Sequence, residues 1–241
     1  MEFRVFRGNI VDVCTDAIVL PANTALKEGS GSSEAIFKAA GRKKLSDACA
    51  KIGHCDVGMS VVTPGFNLIS KYIVHAVVPR WIDGNHDEYA YLSSAYLSAL
   101  TAADVIKCES IAFPLLASGN NGFDLSLAFD IAKESIESFQ PQYLNDVCIV
   151  LYGNSAVACA EKKGIVCNDL VVIADPMESR GDLRKERAAR IIKDGAGIVA
   201  DLALDVMEKG VEYFQKKENR LKILELGMGI AAAVLHNQKS K

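Results

Sequence analysis

The order of apolar patterns along this chain predicts an α/β fold, a central sheet with helices on both faces. Three observations carry that expectation. Short apolar runs suited to strands alternate with amphipathic helical runs from Glu2 to about residue 165. One of the runs, KYIVHAVV at Lys71–Val78, is apolar almost throughout, as a strand buried on both faces must be. Two glycine-containing loops, GSG at Gly29–Gly31 and SGNNG at Ser118–Gly122, each stand between a strand end and a helix start. Beyond residue 165 the alternation stops. The chain is therefore expected to divide into an α/β domain over 1–165 and a helical extension or small helical subdomain over 166–241.

Each element has its own signal. Glu2–Phe6 alternates apolar and polar residues before Arg7-Gly8-Asn9, which reads as a strand and a turn. Val13–Leu20 is a second strand, broken by Pro21 and delivering Asn23. The polar loop follows, then helical runs over Ala35–Ala40 and Lys43–Ile52, the latter ended by Gly53. Met59–Thr63 is a strand closed by Pro64-Gly65, a turn pair. After the buried strand, Asp87–Lys107 repeats Tyr91, Ala95, Leu97, Leu100 and Ala103 at helical spacing. Ser110–Leu116 is a strand, and Leu125–Phe139 a helix with Asp124 or Ser126 as its N-cap. Asp146–Tyr152 reads as the last clear strand and Ala156–Lys162 as a short helix. Leu183–Phe214 and Leu221–Leu235 carry apolar residues at helical spacing. That spacing points to packing on the α/β domain, on another copy of the chain or on a partner.

Composition narrows the class. Half the residues are hydrophobic and a quarter charged, which suits an ordinary globular protein. A net charge of −3 gives no support for nucleic-acid binding, which usually shows a basic excess. No segment approaches the roughly 20 apolar residues that span a bilayer, so no membrane role is expected. The N-terminal MEFRVFRGNI has no long apolar stretch of the signal-peptide kind. The seven cysteines include no CxxC pair, which favours reduced thiols and a cytoplasmic location.

Two loops after two strands suggest anion binding. If the strands are parallel neighbours, both loops open on one edge of the sheet and clamp a diphosphate with backbone amides. Other chemistries are poorly supported. GSGSSE meets the dinucleotide fingerprint only in part, and the Walker pattern and the GxSxG elbow do not occur. His54 with Cys49 and Cys55 matches no zinc spacing, and His75 inside an apolar strand reads as a core histidine. Neither a metal nor a cofactor is expected.

Four ordered segments resemble the macro-domain family. Leu20-Pro21-Ala22-Asn23 with Leu26 and, further on, Ala35-Ile36 and Ala39-Ala40-Gly41 lie without gaps over the signature NAANxxLxxGGGVDGAIHxAAG. CDVGMSVVTPGFNL is similar to CPTGEAVxTxGYNL, IVHAVVPRW to VIHTVGPxW, and IAFPLLASGNNGFD to IAFPxISTGxYGYP. The resemblance covers about Phe3 to Lys162. It implies a three-layer α/β/α fold with a mixed central sheet, and binding of ADP-ribose, free or attached to protein.

The resemblance also implies roles. Asn9 stands where the family has an aspartate that accepts from the adenine amine, and Ile10 offers its backbone amide. Asn23 matches the asparagine that bonds the distal ribose. Gly29, Gly31, Ser32 and Ser33 fall on the first phosphate loop; Ser118, Gly119, Asn120, Asn121, Gly122 and Phe123 fall on the second. Tyr152 is the residue expected to stack on adenine. Hydrolytic members often carry an aspartate where this chain has Ser33, and Phe37 replaces a histidine, while Glu28 and Glu34 replace glycines. The expectation is therefore a binder first. A mono-ADP-ribosyl hydrolase or O-acetyl-ADP-ribose deacetylase using Asn23 and a positioned water is the alternative. A degenerate macro fold acting as an interaction platform is a third.

Overall fold

The computed structural model describes residues 1–170, 223–230, 232 and 236. The chain opens with β1 (Glu2–Arg7), a 3-10 turn (Ile10–Asp12) and β2 (Ala17–Ala22). Helices α1 (Ser32–Ala40) and α2 (Arg42–Ile52) follow, then β3 (Ser60–Pro64), β4 (Tyr72–Val77) and α3 (Glu88–Val105). The remaining elements are β5 (Ser110–Pro114), α4 (Leu125–Ser138), β6 (Asp146–Leu151), α5 (Asn154–Lys162) and β7 (Cys167–Asp169).

The strands form one sheet in the order β3-β4-β2-β5-β6-β1-β7. Only β3 runs antiparallel, against β4, so the sheet is mixed as expected. The other pairings are parallel, including β2 beside β5, with Ala17 opposite Ile111 and Ile18 opposite Ala112. Helices α1 and α2 pack on each other, while α3 packs on α4 and α4 on α5. These two groups flank the sheet in a three-layer α/β/α arrangement.

The buried β4 run behaves as its composition requires. Ile73, Val74, His75 and Ala76 are fully buried, because β4 lies between β2 and β3 and is covered on both faces. His75 meets this burial by bonding Thr63 Oγ1 through Nε2 at 2.8 Å. Burial lowers its pKa to about 3, so it stays neutral and structural. Cys49, Cys108 and Cys148 are likewise buried, and burial pushes their thiols up to about 11, 12 and 12.

Two elements differ from the sequence pattern. The turn Ile10–Asp12 follows β1, and its cap is Asn9, whose Oδ1 accepts from Val11 N at 3.4 Å. Strand β7 lies past residue 165 and pairs with β1 through Val5–Cys167, Phe6–Asn168 and Arg7–Asp169. Three residues of composition Cys-Asn-Asp carry no periodicity, so this edge strand has no sequence signature. The helix expected over Leu183–Phe214 lies outside the described residues. Of the run Leu221–Leu235, residues 223–230 are helical.

Candidate functional site

Parallel strands share an orientation, so β2, β5, β6 and β1 all end on the same edge of the sheet. Reading across that edge in sheet order gives Asn23 after β2, the second glycine loop after β5, Tyr152 after β6, and Asn9 after β1. The condition set by the sequence, that β2 and β5 be parallel neighbours, is met.

The first loop starts from a tight turn. Leu26 takes φ 56°, and its N–H donates to the Asn23 carbonyl at 2.9 Å. The exposed Asn23 side chain braces that turn: Nδ2 donates to the Lys27 carbonyl at 2.8 Å and Oδ1 accepts from Lys27 N at 3.1 Å. Each atom keeps a second donor or acceptor position for a ligand. Gly31 then adopts φ 64° and ψ −126°, a conformation open to glycine, and a Cβ there would meet nothing within 4 Å. It starts α1 without a side-chain cap. The first-turn amides, beginning at Ser32, are therefore left for a partner such as a phosphate.

Ser33 does not face that space freely. It is buried, and its Oγ accepts from Gly29 N at 3.0 Å. Gly29, expected to offer its amide to the ligand, thus spends it on Ser33. The serine is an internal brace of the loop. Glu28 and Glu34 turn toward Arg42 of α2, whose Nε bonds Glu28 at 2.8 Å and 3.1 Å. Arg42 Nη2 lies 3.6 Å from Glu34 Oε1. One guanidinium therefore offsets the two carboxylates beside the first glycine loop.

The second loop also begins at a strained residue, Ala117 at φ 61°, and contains Gly122 at φ 83°. Ser118 Oγ donates to the Leu115 carbonyl at 2.8 Å. The Gly122 and Phe123 amides, both expected to serve the ligand, instead donate within the loop, to Gly119 and Ala117 carbonyls at 2.9 Å and 3.2 Å. The Phe123 ring is buried, edge-on to Trp81 with centroids 5.3 Å apart. Exposed Gly119 and Asn120 form the loop tip. Asn120 Nδ2 reaches across to Ser30 Oγ at 2.6 Å, so the two glycine loops touch.

At the other end of the edge, Tyr152 is 80% exposed, a large ring with no packing role. Its neighbour in sheet order is Asn9, with Ile10 buried behind it. Tyr152 and Asn9 thus leave an exposed aromatic ring and a polar amide at the ends of neighbouring strands. His54, Cys49 and Cys55 do not converge: His54 Nε2 pairs with Asp56 at 2.9 Å, while Cys49 Sγ lies 4.0 Å from His75 Nδ1.

Sequence reasoning missed several residues that shape the site. Arg42 is one, because charge pairing across a loop leaves no periodic trace. Tyr96 is another: its buried hydroxyl accepts from Leu116 N at 2.9 Å, fixing the exit of β5. Trp81, quoted within IVHAVVPRW, holds the second loop through its N–H to the Asn121 carbonyl at 2.7 Å.

Comparison with known proteins agrees with this geometry. The family model described as Macro domain matches residues 19–132. A macro domain-containing protein of Caldanaerobacter subterraneus subsp. tengcongensis is 38% identical over 157 residues, covering 64% of this chain and 90% of the relative. An O-acetyl-ADP-ribose deacetylase of Escherichia fergusonii is 38% identical over 142 residues, covering 57% and 80%. Among solved structures, the Oceanobacillus iheyensis macrodomain with ADP superposes with a TM-score of 0.62 at 30% identity, over 66% of this chain and 87% of that one. The Trypanosoma brucei macrodomain in complex with ADP-ribose gives 0.59 at 28%, over 67% and 68%. With the sheet order, the two touching glycine loops and these relatives in agreement, the chain belongs to the macro-domain family.

Proposed function

We propose that this protein binds ADP-ribose, free or attached to protein, along the edge where β2, β5, β6 and β1 end. Adenine lies against Tyr152 and Asn9, the diphosphate between the two glycine loops, and the distal ribose at Asn23. The observation that carries this reading is the contact between the loops, Asn120 to Ser30, which their parallel neighbouring strands make possible. A diphosphate received there meets the uncapped first turn of α1 on one side and the tip of the second loop on the other. Arg42 supports this by holding Glu28 and Glu34, whose charges would otherwise oppose the ligand.

Because the site extends over several strands, a ligand reaching both ends gains from each. AMP and ribose 5-phosphate, each filling part of the edge, are expected to bind more weakly than ADP-ribose. Equal affinity for AMP and ADP-ribose would remove the distal-ribose assignment at Asn23.

A second reading, favoured by the 38% identity to an O-acetyl-ADP-ribose deacetylase, is turnover. Hydrolysis needs a water held against the reacting carbon and a group to take or give a proton. Asn23 can orient a water or ribose hydroxyl but does not titrate at ordinary pH, and Ser33 is committed to Gly29. Binding is therefore the primary role, and incubation with O-acetyl-ADP-ribose or mono-ADP-ribosylated protein tests turnover directly. Release that vanishes in Asn23→Ala would make this protein an enzyme. Among the described residues no helix is long and apolar enough to cross a membrane.

A further inference from the structure

The segment between β4 and α3 supplies none of the ligand contacts proposed above, yet it is built around one carboxylate. Glu88, in the first turn of α3, is only 2% exposed. Its Oε1 accepts from the amides of Ile82, Asp83 and Gly84 at 3.1, 3.2 and 3.1 Å, and its Oε2 from His86 at 2.7 Å. Charge-assisted bonds of this kind are roughly twice as strong as neutral ones, so the loop is closed into a ring around the carboxylate. Asp83 and His86 pair on its outside, Oδ1 to Nδ1 at 3.0 Å. Together the three side chains resemble a cation cluster, but both Glu88 oxygens face backbone amides.

What this ring holds is Trp81. A Cβ on Gly84 would lie 2.9 Å from Trp81 Cη2 and 3.0 Å from Tyr89 Oη, so the loop backbone packs against the edges of both side chains. The Trp81 ring meets Tyr89 and Phe123 edge-on, each at 5.3 Å between centroids. The Trp81 backbone N–H donates to the Asn121 carbonyl at 2.7 Å, and a Cβ on Gly122 would lie 3.5 Å from Trp81 Cβ. A continuous path of contacts thus runs from Glu88 through residues 82–86 and Trp81 to Asn121, Gly122 and Phe123.

We infer that Glu88 is a positioning residue of the binding site. Through the 82–86 loop and Trp81 it holds the second glycine loop in the shape that receives the ligand's diphosphate. The inference rests on the ADP-ribose reading, and its test separates the two. Glu88→Gln keeps the size of the side chain but removes the charge and turns an NH2 group toward amide donors. Hydrogen exchange of the ligand-free full chain should then quicken at residues 81–86 and 118–123 while residues 29–33 keep their rate. By calorimetry, ADP-ribose affinity should fall about tenfold, the order expected for lost charge-assisted bonds, while adenosine, which carries no diphosphate, binds as before. Trp81→Ala keeps the backbone bond to Asn121 but removes the ring contacts to Gly84 and Phe123. It should therefore reproduce the faster exchange at 118–123 and the weaker ADP-ribose binding, which covers the case of a Glu88→Gln chain that fails to fold. Unchanged exchange at 118–123, or an equal rise over the whole chain, would overturn the positioning role. If the unmodified chain gives no ADP-ribose heat, the binding reading fails and the exchange comparison alone decides the role of Glu88.

Discussion

Ser33 is buried and accepts from Gly29 N, so its hydroxyl shapes the first glycine loop from within. A carboxylate at this position would still reach the Gly29 amide and would add a group able to take a proton near the place we propose for the distal ribose. Ser33→Asp is therefore expected to raise release of ADP-ribose from modified protein above that of the parent chain. No change would mean that loop geometry, rather than the side chain, limits turnover. Arg42 permits an opposite test. Arg42→Ala frees Glu28 and Glu34 next to an anionic ligand, and ADP-ribose affinity should drop several-fold at low salt and less at high salt, because screening weakens exposed charges. A loss that ignores ionic strength would point to packing instead. Tyr152 is the simplest case. Its ring is 80% exposed, so Tyr152→Ala should leave thermal stability unchanged while removing about 1–3 kcal/mol of base stacking, read as weaker ADP-ribose binding.

At the scale of elements, the loop before α3 carries a pH signature. Burial by itself would raise the Glu88 carboxyl, but the surrounding amides outweigh it and hold it at about 2, below the usual 4.5. A depressed carboxyl contributes stability that is complete above pH 4.5 and is lost as pH falls toward 2. Acid unfolding of the parent chain should therefore be steeper over that window than unfolding of Glu88→Gln; parallel curves would contradict the assignment. The strands and helices through α5 were legible in the sequence because each carries a period, an apolar run or a cap. Asp124 shows the cap clearly, accepting from Ser126 and Leu127 amides at 2.9 and 3.1 Å. The 3-10 turn at Ile10 and the strand at Cys167 were not legible: each is three residues long, the first closed locally by Asn9 and the second fixed by pairing with β1, distant in sequence. The glycine loops lie between a strand and a helix as the sequence pattern expects, but residue types could not tell which amides the loops keep for themselves. Gly29, Gly122 and Phe123 each donate within their own loop, a detail decided by backbone angles rather than residue type.

For the molecule as a whole, α3 explains why part of the chain beyond the sheet returns to it. Its residues from Leu92 to Leu100 are all buried, so it needs cover beyond the sheet and α4. The helical segment 223–230 supplies some of that cover with Ile223 and Ile230, both buried in the core cluster. Gly227 makes the approach possible: a Cβ there would collide with Ser94 Oγ and stand 2.7 Å from the Ala90 carbonyl. Ser94 Oγ also donates to the Ile223 carbonyl at 3.3 Å. Gly227→Val is expected to push this segment off α3, costing about 1–3 kcal/mol as overpacking does, and to lower the melting temperature. ADP-ribose affinity should be kept, since the edge we propose for the ligand is built from β2, β5, β6 and β1. Loss of binding in that variant would show that the segment also supports the site.

The central claim is that one sheet edge binds ADP-ribose from adenine to distal ribose. Calorimetric titration of the full chain with ADP-ribose, alongside Tyr152→Ala and Asn23→Ala, tests it most directly. The account predicts saturable binding by the parent chain and weaker binding by each variant, with melting temperature preserved in Tyr152→Ala. No heat at millimolar ADP-ribose, or full affinity in both variants, would contradict it.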